Sequence, residues 1–231
     1  MAARTMDRSV TAEDERWGVL GGVVFVVLDV AVAVLGGEPP ASDAGPAEIT
    51  RYLADHRFGT EAGLWLFGLA AVALLWWMGS LWRRMVRAER GSARLAVVSL
   101  GGLTVAGSLS LAAAAVLAAA GARVDDLGAT VTVLHSMSVL LLAASGFGVA
   151  THLLATSVLG ARTGTLPSWV VGVGVVSAAL FLGSAVLTTT AGGGTADAIG
   201  ALGFAGWCVW ILAVSAVMWR DGPERPAVVA A

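Results

Sequence analysis

Six long apolar runs, separated by short polar connections that alternate between arginine-rich and arginine-poor, constrain this chain more than any other feature. They fall at about 17–36, 63–82, 96–120, 129–159, 168–190 and 200–219. A run of ~20 apolar residues matches a hydrocarbon layer ~30 Å thick, and in such a layer a helix satisfies its own backbone hydrogen bonds. The expected fold is therefore all-α: a polytopic membrane protein of six transmembrane helices between polar tails at 1–16 and 220–231.

Composition agrees. Hydrophobic residues make up 57 % of the chain and charged residues only 13 %, with mean hydropathy +0.82, a shift away from soluble proteins in both directions. The longest polar connection, about 37–61, is too short for a second domain. The N-terminal stretch mixes acids with arginines, and no small-residue cleavage site follows the first apolar run. It is read as a tail rather than a removed leader.

Arginine placement sets the expected orientation. Arg4, Arg8 and Arg16, then Arg83, Arg84, Arg87, Arg90 and Arg94, then Arg162, Arg220 and Arg225 put eleven on one side, against three (Arg51, Arg57 and Arg123) on the other. The positive-inside rule then makes both termini cytoplasmic. Trp17, Trp82, Trp169 and Trp219 fall at the arginine-rich ends of the runs, where an indole suits the headgroup layer. In the first outer connection, Pro46 suits a first helical turn, with Ser42 or Asp43 as cap. Ile49, Tyr52 and Leu53 follow at helical spacing, which predicts a short amphipathic helix from about Pro46 to Arg57.

Several chemistries are excluded or disfavoured. All fourteen basic residues are arginine, so no lysine is present to form a Schiff base with retinal or pyridoxal phosphate. Cys208 is the only cysteine, which rules out an internal disulfide, a CxxC pair or a cysteine-ligated cluster within one chain. Two bis-histidine hemes would need four ligands, and the chain has only His56, His135 and His152. A rhomboid-type nucleophile motif is missing, because AASG at 143–146 lacks the leading glycine and the last run has no histidine. Asp125 and Asp126 stand alone, without the further aspartates of a metal-dependent alcohol phosphotransferase. No enzyme, cofactor, metal or nucleic-acid partner is expected.

The polar residues inside the runs are the candidate site. Asp29 is the only acid well inside a span, and a charged carboxylate at a helix centre costs about 2.5–3.5 kcal/mol on insertion scales. It shares the Gly18, Gly22, Ala33 and Gly36 face, so it should turn into the bundle. His135 and Cys208 lie at a similar depth, and an Asp29–His135 pair is one way to offset that cost; His152 sits on the same run as His135, seventeen residues on. Glycines in the spans, including Gly200, Gly203 and Gly206, read as packing surfaces, since close approach at small residues drives helix association in lipid. The SGFG run at 145–148 predicts a bend in a long fourth span. The second and third spans resemble the fourth and fifth in shape, as a duplication would.

The stretches EITRYLADHR, LWRRMVRAERGSARLAVVSLGG and ARTGTLPSWVVGVGVV resemble uncharacterised multi-pass membrane proteins of high-GC Gram-positive bacteria, grouped under domains of unknown function. The resemblance implies six spans and a plasma-membrane location, and it transfers no catalytic residue. The expected function is a non-enzymatic accessory or structural bundle whose partners are the lipid bilayer and either a second copy or another membrane protein. The alternative is a transporter or permease-like protein for a small molecule or ion, with a polar intramembrane site at Asp29 and His135.

Overall fold

The computed structural model describes residues 2–91, 93–190 and 193–221, with side chains described from residue 17 onward. The described residues form eight helices: α1 (Ala2–Gly36), α2 (Pro46–Asp55), α3 (Arg57–Glu89), α4 (Arg94–Ala122), α5 (Val124–Leu127), α6 (Thr130–Thr163), α7 (Ser168–Thr190) and α8 (Gly194–Asp221). Six stretches are long and apolar enough to cross a membrane: Trp17–Gly36 within α1, and α3, α4, α6, α7 and α8 entire. The chain is thus a multi-pass helical membrane protein. These helices extend past the apolar cores of most runs because the flanking arginine-bearing residues continue the same hydrogen-bonded ladder.

Each spanning helix packs on its neighbour in the chain, and α8 returns to α1, so the six close into a ring in the order α1, α3, α4, α6, α7, α8. Bare glycine backbone makes the seams. Gly18 lies against Ser80, Gly21 against the Ala73 carbonyl and Gly59 against the Leu35 carbonyl, which runs α1 antiparallel to α3. Gly200, Gly203 and Gly206 step along α8 against Ser184, Leu180–Phe181 and Ser177 of α7. In lipid no hydrophobic force pulls helices together, so this close approach supplies dispersion contacts that larger side chains would hold apart.

The fourth span shows what its glycines are for. Helix α6 is continuous from Thr130 to Thr163; the SGFG run does not break its hydrogen-bonded ladder. Gly146 instead lies against Phe181, and Gly148 against the backbone of Gly102 and Ala106.

Both ends of the ring are tied. At the arginine-rich end, Arg84 pairs with Asp221 and donates to the Thr165 carbonyl at 3.2 Å, joining α3, the α6–α7 turn and α8. Glu89 accepts from the Leu95 and Ala96 amides at 2.9 and 3.0 Å, covering orphan donors at the start of α4 where the helix dipole favours an anion. At the opposite end lies α2. Its Ile49 and Leu53 are buried against Ala120, Val124 and Val131, and Tyr52 donates to the Gly36 carbonyl at 2.9 Å. The helix is shorter than its sequence pattern, ending at Asp55, and Arg57 opens α3 instead.

The expected cap is also different. Gly45 precedes α2 with no side-chain cap. Ser42 is used elsewhere: its amide donates to Asp197 at 3.1 Å, and its hydroxyl accepts from the Gly193 amide at 3.1 Å, strapping this connection to the start of α8. On the other flank Arg57 pairs with Asp125 at 2.6 Å.

Candidate functional site

The ring's interior holds two separate groups of polar residues, at different depths. Nearer its arginine-rich end, three aromatic rings converge: His152 lies 6.3 Å from Trp77 and 5.5 Å from Trp210, and the two indoles are 6.1 Å apart, all in edge-to-face geometry. None of the three has any exposed surface. Edge-to-face contact sets positive ring edges on negative faces, so the cluster fills the centre with specific geometry.

Hydroxyls from three helices serve this plug. His152 Nδ1 lies 2.8 Å from Ser99 Oγ and 3.3 Å from the Ser99 carbonyl; a carbonyl can only accept, which favours the Nδ1–H tautomer. Ser99 Oγ is in turn 3.0 Å from Thr156 Oγ1. Trp77 donates its indole proton to Ser215 Oγ at 2.9 Å. That bond lies over the bare backbone of Gly22, where an added Cβ would sit 2.6 Å from Ser215 Oγ and 2.7 Å from Trp77 Nε1. Trp77 and Trp210 carried a legible signal, as tryptophans at mid-depth. Ser99, Thr156 and Ser215 did not, because isolated hydroxyls are common in membrane helices and only pairing distinguishes these three.

Asp29 belongs to a second group, nearer the α2 end. It is 5 % exposed, and its Oδ2 has no hydrogen-bond partner. Phe25, one turn earlier on the same face, packs edge-on against Trp207 with ring centres 5.2 Å apart. Cys208, next to Trp207 on α8, lies near Asp29. Asp29 thus faces the α1–α8 seam, in surroundings made of Phe25, Trp207 and a thiol.

His135 is also buried, at 4 % exposure, and its Nδ1 likewise has no partner. Its stripe on α6, with Val131 and Ser138, faces α4: Ser138 donates to the Ala113 carbonyl at 3.0 Å, and Val131 packs with Ala120. The α4–α6 seam lies across the ring from the α1–α8 seam. Asp29 and His135 are therefore matched in depth but face different neighbours, and no hydrogen bond or ion pair joins them. The expected pair does not form, because equal depth constrains position along the membrane normal and leaves position around the ring free.

Among the described residues, no three of His, Cys, Asp or Glu gather where they could hold a metal ion. An apolar groove of about 600 Å³ runs along α6, lined by Thr132, Val133, Ser136, Met137, Leu140 and Leu141; Asp29 is not part of it. No family model matches the chain, and neither a curated protein nor a solved structure matches it.

Proposed function

We propose that this protein is a non-enzymatic bundle of the plasma membrane, with both termini cytoplasmic, that acts through helix and lipid contacts with a second copy or another membrane protein. The observation that carries this reading is the filled centre: Trp77, His152 and Trp210 interlock where a conduction path would run, inside a ring sealed by glycine seams. The eleven-to-three arginine division supports the orientation.

One observation favours a second reading, a transporter or permease-like protein: a buried acid without a hydrogen-bond partner is the usual mark of an ion or proton path. That reading rests on Asp29 alone, since His135 faces the opposite seam. Proteoliposomes decide between the two. The bundle reading expects vesicles as tight to protons, alkali cations and small organic ions as protein-free controls. A reproducible flux that Asp29→Asn abolishes would overturn it in favour of transport.

A further inference from the structure

Asp29 is the one buried acid among the described residues, and no cation pairs with it. Along Trp17–Gly36 it is the only titratable side chain. On α8 the spanning stretch 198–219 contributes only Cys208, which is neutral in its ordinary state. On α3, Trp77 lies opposite Gly22 and Gly63 opposite Val32, so the stretch at the level of Asp29 falls within 64–76, and it contains no titratable group at all. No arginine lies at this depth on any of the three helices. Asp29 is about 10 Å, seven residues, below Gly36 at the α2 end.

Burial without a cation leaves the charged form with its full desolvation cost, while the protonated form avoids most of it. Trp207 Nε1, on the adjacent face of α8, is a second buried polar atom with no partner. An indole N–H can donate to a carboxyl oxygen in either protonation state, so it could supply one hydrogen bond but not the countercharge that an ionised carboxylate in this seam would need.

We infer that Asp29 is a proton-binding site inside the membrane: a neutral carboxylic acid in the α1–α8 seam, bordered by Phe25, Trp207 and Cys208, that takes up and releases its proton there. This goes beyond the packing role proposed above and does not rest on it. A bundle that transports nothing can still hold a protonated acid, and a transporter would use it as the point where proton movement couples to the helices.

Chemical modification tests this directly. A hydrophobic carbodiimide, dicyclohexylcarbodiimide, reacts with an undissociated acid in apolar surroundings: the carboxyl proton moves to a carbodiimide nitrogen, the carboxyl oxygen adds to the central carbon, and the O-acylisourea rearranges to a stable N-acylurea with no leaving group. The full chain in native-composition vesicles is treated with this reagent or with a water-soluble, charged carbodiimide, and adducts are mapped by peptide mass spectrometry. The expected result is one adduct on the peptide containing Asp29, formed with the hydrophobic reagent, falling in yield as pH is raised, lost in Asp29→Asn and retained in Asp29→Glu. No adduct at Asp29 in the wild-type chain, a yield indifferent to pH, or equal labelling by the charged reagent would each overturn the inference. Because the mapping is done on the wild-type protein, a poorly folded variant does not obscure the outcome.

Discussion

Gly102 on α4 and Gly148 on α6 meet backbone to backbone: a Cβ added to Gly102 would lie 2.7 Å from the Gly148 carbonyl oxygen, and one added to Gly148 would lie 2.6 Å from the Gly102 carbonyl oxygen. His152 begins its turn of helix at this crossing, its amide only 2.9 Å from the same Gly102 position. The close approach that lets α4 and α6 touch therefore also brings Ser99 within hydrogen-bonding distance of the imidazole.

Adding a methyl group at this crossing must push the two helices apart, because the obstructing atoms are backbone and cannot rotate away. Gly102→Ala and Gly148→Ala are each expected to destabilise the protein by about 1–3 kcal/mol, the range for overpacking a tight interior. Gly107→Ala and Gly172→Ala, where nothing lies within 4 Å of the added atom, should be neutral or slightly stabilising. Denaturation in detergent micelles measures the difference; equal effects at all four sites would refute the assignment of the crossing.

The Trp77–Ser215 bond links α3 to α8 across the face of α1. Ser215→Ala leaves a buried indole proton unpaired and is expected to cost about 1 kcal/mol, within the range for interhelical hydrogen bonds in membranes. In a Trp77→Phe background the same substitution should cost markedly less, since no donor remains to be orphaned. A double-mutant cycle reports the coupling, and purely additive effects would show that the bond contributes nothing.

Tyr52 is the only tyrosine in the chain, so tyrosinate absorbance reports on α2 alone. Burial pushes its phenol up from the ordinary value. The sign follows: the docked state holds the phenolic proton more tightly than the undocked state, so its contribution to docking is complete below ordinary tyrosine titration, near pH ~10. It is lost as pH rises through the raised value. An alkaline titration should show a midpoint above that of free tyrosine. Leu53→Ala, which hollows the contact with Ala120, Val124 and Val131, should move the midpoint back. A wild-type midpoint already equal to that of free tyrosine would mean that α2 does not dock as described.

Reporter fusions test the orientation. Fusions at Gly91, in the α3–α4 turn, and at Asp126, in α5, lie at opposite ends of the ring, and both residues are exposed. They should report the cytoplasm and the outside respectively. The same compartment for both is incompatible with the ring.

The spans were legible because their cause is local. Membrane thickness fixes a run length, backbone satisfaction fixes the helix, and both act on consecutive residues of one segment. Glycines as packing surfaces were legible for the same reason: the step of Gly200, Gly203 and Gly206 along one face needs only helical periodicity. At 145–148 the helix is continuous, and Gly146 and Gly148 serve there as contact points with neighbouring helices.

The amino-acid sequence by itself determined the class, the number of spans, the burial expected of Asp29 and the absence of lysine and thiol-pair chemistry. Tertiary structure alone decided who faces whom. Position along a helix axis follows from counting residues, but position around a six-helix ring depends on which seams close, and those are set by contacts between residues as distant as Ser42 and Asp197 or Trp77 and Ser215. That is why Asp29 and His135 could be matched in depth and yet be separated across the ring, and why the Trp77, His152 and Trp210 plug, drawn from three helices, is written in no single stretch of the chain.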